Sequence, residues 1–121
     1  MTPKETAEAF TALLKAGDHE GAARTFNAED IVSLEAMEGP MAVCKGRAAL
    51  QAKGEWWYTN HEIHEVTTEG PFVNGDQFLV EFTMDFTIKA TGQRIQNSKE
   101  WGLYTVRDGK IAEERFFYPS M

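Results

Sequence analysis

The sequence predicts an α+β fold, and three observations carry that prediction. Before about position 60, apolar residues recur at helical spacing. From His61 on, the period drops to two. Along that second half, Asn74-Gly75 and Asp108-Gly109 are strong short hairpin signals, with Thr91-Gly92 a weaker third. The expectation is a single domain over 1–121, in which three N-terminal helices are wrapped by a long, curved antiparallel sheet.

Each element has its own signal. Thr2 is a cap, Pro3 suits a first helical position, and Glu5 completes a capping box. Ala7, Phe10, Leu13 and Leu14 share one face of that helix, and Gly17 ends it. Asp18 caps a second helix with Ala22, Ala23 and Phe26 inward. A strand is expected over Ile31 to Ala36, broken by Gly39-Pro40, with a short strand or loop edge from Met41 to Cys44. Gly46 opens a third helix through about Tyr58, with Leu50 and Trp57 seven apart on one face. The hairpin signals then join strands over 61–73, 76–90, 93–107 and 110–118, long for a chain of this size.

Composition narrows the function classes. Of 121 residues, 42% are hydrophobic and 12% aromatic, enough for one core. A net charge of −7 argues against nucleic-acid binding and against an anionic membrane surface. The lone Cys44 permits no intrachain disulfide, the N-terminus has no apolar leader, and no run approaches the roughly 20 residues of a membrane span. The expected location is the cytoplasm.

Strand alternation and turn positions give a register. Phe78, Val80, Phe82, Met84, Phe86 and Ile88 point to one face of the second long strand. Two-residue turns would place His64 opposite Asp85, Thr83 opposite Glu100, Phe82 opposite Trp101, Trp101 opposite Phe116 and Leu103 opposite Glu114. The apolar face would then hold Trp101, Leu103, Phe116, Tyr118 and the single acid Glu114. A mixed face would hold His64, Asp85, Glu100, Tyr104, Glu113 and Arg115. A bulge at Gly70-Pro71 would flip His64 to the other face.

The helices-then-meander order, with the segments Gly70-Pro71-Phe72-Val73-Asn74-Gly75-Asp76, Met84-Asp85, Thr91-Gly92-Gln93-Arg94, Glu100, Tyr104 to Ile111 and Glu113 to Tyr118, resembles the SnoaL-like domain proteins of the nuclear transport factor 2-like superfamily. The resemblance spans nearly the whole chain. It implies a cone-shaped fold, an apolar pocket between sheet and helices, and a homodimer. Its members include polyketide cyclases, ketosteroid isomerases, dehydratases, epoxide hydrolases and non-catalytic binding domains. The catalytic ones generally use a pocket acid or a His–Asp pair and need no metal; no cofactor is expected here.

His64 with Asp85 is a candidate acid–base pair, because a carboxylate fixes the imidazole tautomer and raises its pKa; the same pair also suits a plain cross-strand contact. Glu100 lies diagonally near Asp85 in that register, and two close carboxylates share a proton; it is otherwise a surface glutamate. Glu114, among apolar neighbours, has to be neutral, paired or functional unless it reaches water at a strand end. Tyr104 suits either an oxyanion donor or a packed ring with its hydroxyl on the rim. Trp56, Trp57, Phe82, Trp101 and Phe116 are candidates for an aromatic ligand site or for the core. His61 and His64, three apart on a strand, face opposite ways and make no zinc site. Cys44 reads as a small buried hydrophobe.

The expected function is proton-transfer chemistry (isomerisation, cyclisation or dehydration) on a small apolar carbonyl-type molecule. His64 or Asp85 would be the base, with Glu100 or Tyr104 supporting the developing charge. The rivals are a non-catalytic ligand-binding or dimerisation module and a hydrolase that activates water with an acid pair.

Overall fold

The structure is a computed structural model that describes residues 1–119. It opens with α1, Pro3–Lys15, whose capping box is complete: Thr2 Oγ1 accepts from the Glu5 N–H at 3.1 Å, and the Glu5 carboxylate accepts from the Thr2 N–H at 2.9 Å. Gly17, at φ 82°, turns the chain out, and Asp18 caps α2, His19–Phe26, by accepting from the Gly21 N–H at 2.9 Å. Then come β1 (Asn27–Leu34), β2 (Val43–Lys45), α3 (Arg47–Asn60), β3 (His61–Asn74), β4 (Gln77–Ile88), β5 (Gln93–Arg107) and β6 (Lys110–Phe117). The expected elements are present, with β1 starting four residues earlier than alternation suggests.

The strands form one open sheet in the order β2-β1-β6-β5-β4-β3. All neighbours are antiparallel except β1 with β6. The Asp108-Gly109 hairpin forms as expected, with both residues at positive φ and Arg107 facing Lys110. The other two turns differ. Asn74 faces Gln77, so Gly75-Asp76 is the turn, and four residues, Lys89 to Gly92, connect Ile88 to Gln93.

Extra residues then shift the register further along. β3 carries one at Gly70-Pro71 and one at His64, β5 one at Gln96-Asn97, and β6 one at Ala112. β4 runs unbroken between them. The true pairs are Glu65 with Asp85, Phe82 with Glu100, Glu81 with Trp101, Trp101 with Phe117, Leu103 with Arg115 and Tyr104 with Glu114. The five pairings expected from two-residue turns are therefore each displaced by one residue, and side chains change face with them.

The sheet's inner face is the apolar stripe of β4: Phe78, Val80, Phe82 and Phe86 are all buried. Helix α1 lays Phe10 and Leu14 on it, and α2 adds Ala22 and Phe26. Phe10 meets Phe78 at 5.9 Å and Tyr104 at 5.0 Å, both edge-on. Helix α3 differs: none of its residues is buried. It is tied on by polar and aromatic contacts, which form one wall of the site.

Candidate functional site

Pairing across the strands lays out the inner face in rows. One row runs Phe78, Tyr104, Glu114, Ser33, Cys44 from β4 to β2. The next is Val80, Gly102, Phe116, and the third is Phe82 with Glu100. Glu100, Tyr104 and Glu114 thus share a face: the extra residue at Gln96-Asn97 moves Glu100 and Tyr104 off the mixed face, and the extra residue at Ala112 brings Glu114 opposite Tyr104. Trp101 and Leu103, expected beside Phe82, lie on the outer face instead.

Helix α3 brings a cation to this face. Lys53 Nζ pairs with the Glu35 carboxylate, donates to Ser33 Oγ at 2.9 Å and stands 5.2 Å from the centre of the Phe116 ring. The Lys53 and Glu35 side chains are each 16% exposed, so this pair is largely out of water. Ser33, fully buried, also bonds the Glu114 carboxylate. One hydroxyl therefore links the lysine to the glutamate.

Three carboxylates, of Glu35, Glu100 and Glu114, surround one ammonium with little water. The Glu100 carboxyl is pushed up to about 7, first by burial and then by Glu35 and Glu114, against the pull of Lys53. Burial also raises Glu114, while the Ser33 hydrogen bond and the Lys53 charge pull the other way. Tyr104 is 3% exposed; burial, then Glu114 and Glu100, lift its phenol well above the ordinary range, so it stays a hydrogen-bond donor. At neutral pH the face presents a carboxyl poised between its two forms beside a phenol that keeps its proton.

His64 and Asp85 are elsewhere. Asp85 lies on the outer face, clasped by Arg94 through Nε at 3.0 Å and Nη2 at 2.7 Å. That clasp holds its carboxyl below the usual range, with Gln96 and His64 adding smaller pulls. His64 is an exposed bulge residue whose Nε2 meets Thr87 Oγ1 at 2.8 Å. A hollow of about 350 Å³ opens beside Asp85, lined by Glu65, Thr67, Thr83, Gln96 and Asn97. His64, Asp85 and Glu100 do not converge.

The aromatic candidates also separate. Phe82 and Phe116 flank Glu100 and Gly102 on the inner face. Trp57 stacks on His61 at 3.8 Å and meets Phe86 edge-on at 5.2 Å, closing the far end of the same face. Trp56 is 49% exposed. Sequence reasoning missed Ser33, Glu35, Lys53 and Gly102. The only signal for Lys53 was its place one turn from both Leu50 and Trp57 on the helix, where a lysine faces the sheet.

Residues 1–118 match the family model for the SnoaL-like domain. Among curated proteins, none matches. A Mesorhizobium loti protein of solved structure, provisionally assigned as a SnoaL-like polyketide cyclase and as a carbohydrate phosphatase, is 58% identical over 98% of this chain and 100% of its own, with a TM-score of 0.94. A provisionally assigned isomerase from Bacillus subtilis shares the fold at 18% identity and TM-score 0.76, over 98% of this chain and 90% of its own. So does a Catenulispora acidiphila protein of ketosteroid isomerase-like fold, solved with trimethylamine, at 23% identity and TM-score 0.73, over 98% and 87%. The matched length and the 58% identity show that the chain belongs to the SnoaL-like domain family.

Proposed function

We propose that the protein performs cofactor-free acid–base chemistry on a small neutral carbonyl-type molecule held between the inner sheet face and α3. The convergence of Glu100, Tyr104, Glu114 and Lys53 on that face carries the reading. Glu100 as carboxylate takes a proton from the carbon next to the carbonyl. Tyr104 donates to the oxygen on which negative charge then develops. Return of the proton to another carbon isomerises the molecule; loss of a leaving group dehydrates it; carbon–carbon bond formation cyclises it. The Lys53 ammonium is already engaged by Glu35 and Ser33, so an anionic substrate meets carboxylates and no free cation. Phe82 and Phe116 supply the apolar walls. The helices close the sheet into a cone over this site, and the outer face, with Phe72, Leu79, Trp101, Leu103 and Phe117, pairs with a second copy.

The test is turnover of a panel of neutral ketones, enones and β-hydroxy ketones by the wild type, Glu100→Gln and Asp85→Asn. Glu100→Gln should lose turnover by about a hundredfold or more, while Asp85→Asn stays near wild type. For a base, kcat/KM rises with pH around Glu100's value of about 7. The reverse ranking of the two variants would return the chemistry to the outer face. Saturable binding without turnover would leave the non-catalytic module.

A further inference from the structure

Gly102 sits in the middle of β5, between the two neighbouring strands β4 and β6. Its backbone is ordinary, since it is absent from the positive-φ glycines. A glycine weakens a central strand, so a close approach by another group is the usual reason for one. Here the approaching group is Tyr104. A Cβ on residue 102 would lie 2.8 Å from Tyr104 Cε2, 2.9 Å from Oη and 3.0 Å from Cζ. Side chains two apart on a strand ordinarily stand side by side, about 7 Å from one another. The Tyr104 ring is therefore folded back along β5, across residue 102 and toward Glu100.

The ring has nowhere to retreat. Phe78 stacks on it at 5.0 Å and 16°, Phe10 meets it edge-on at 5.0 Å, and Phe116 meets it edge-on at 6.3 Å. Of the chain's ten glycines, two others leave under 3.0 Å for a Cβ, and neither touches the site: Gly21 accommodates its own Asp18 cap, and Gly70 the carbonyl of Leu79. We propose that Gly102 is a positioning residue: its missing side chain lets the Tyr104 ring lie flat over the strand, which sets the hydroxyl between Glu100 and Glu114. This rests on the reading of Tyr104 as the donor in the proposed chemistry.

The experiment compares Gly102→Ala, Tyr104→Phe and the double variant by two readouts. The first needs no substrate: nuclear Overhauser contacts from the Tyr104 ring to Phe78 and to residue 102. In Gly102→Ala the contacts to Phe78 should weaken as the ring is displaced; an unmoved ring overturns the proposal. The second is kinetics on the best compound of the panel. Each single variant should lower kcat by about tenfold or more with KM within about threefold. The double variant should be no slower than Tyr104→Phe, because the hydroxyl that Gly102 positions is already gone. Effects that multiply would mean that Gly102 acts through something else. If nothing in the panel turns over, the proposed chemistry fails, and the ring contacts alone decide the positioning role. If Gly102→Ala does not fold, Gly102→Ala in a Tyr104→Leu background should fold again; failure there also overturns it.

Discussion

Replacing Glu100 by glutamine should make the fold more stable at alkaline pH while removing the proposed chemistry. The carboxyl titrates at about 7 in the folded chain, against 4.5 for an unperturbed glutamate. The folded state therefore holds a proton that the unfolded state releases between those values. Stability falls as pH rises through that window, by about 1.4 kcal/mol per unit. Above pH 7 the full cost of about 3 kcal/mol is in place; at pH 5 only about 1 kcal/mol of it remains. Glutamine carries no such cost. Urea denaturation of wild type and Glu100→Gln at pH 5 and pH 8 measures the difference. The variant should gain about 3 kcal/mol at pH 8, roughly 10 °C in Tm for a chain of this length, and about 1 kcal/mol at pH 5. Equal stabilities at both pH values would put the Glu100 carboxyl in water, and the electrostatic account of the site would fall with it.

Lys53→Met should leave Glu35 without its cation in a place where both partners are only 16% exposed. A loss of about 3 kcal/mol at neutral pH is expected from denaturation. It should also raise the Glu100 carboxyl further, since Lys53 pulls it down, and that is read as an alkaline shift of its NMR titration. On the outer face, Leu103→Glu should convert a dimer to a monomer in light scattering at micromolar concentration; a wild type already monomeric there removes the dimer reading.

Much of the fold was legible because its signals are local. The Thr2–Glu5 box, the Asp18 cap, the Asp108-Gly109 turn and the unbroken alternation of β4 each need only a few neighbouring residues, and each is in place. Register was not legible. A turn displaced by one residue at Asn74 and a four-residue connection after Ile88 each shift the pairing by two, and single extra residues at His64, Gln96-Asn97 and Ala112 each flip the strand beyond them, yet none of these leaves a mark on composition or period. That is why Glu100, Tyr104 and Glu114 could be named as candidates while their companions were wrong. Lys53, Glu35 and Ser33 come together from α3 and β1 across long sequence separations, which no short pattern records.

What favours the proposed inner-face site is that several local rules are broken there at once, each against stability. A glutamate is buried where it resists ionisation. A lysine and a glutamate are paired largely out of water, where well-packed apolar side chains would serve the fold as well or better. A glycine interrupts a central strand so that a phenol can lie across it. Singly, each has a structural excuse; together, within three adjacent rows of one sheet face, they share none. Sequences that fold well are consistent across levels, and departures that gather in one place are where function sets the residue. The outer-face group fails the same criterion. Asp85 is clasped by Arg94, His64 is met by Thr87, and Lys99 donates to both Glu81 and Thr83 at 2.8 Å, so the charges of Asp85, Glu81 and Lys99 are paired beside water. An ionised, fully partnered carboxylate has little tendency to take a proton at neutral pH. The two groups resemble each other in a list of residue types, and only the energetics of burial separates them.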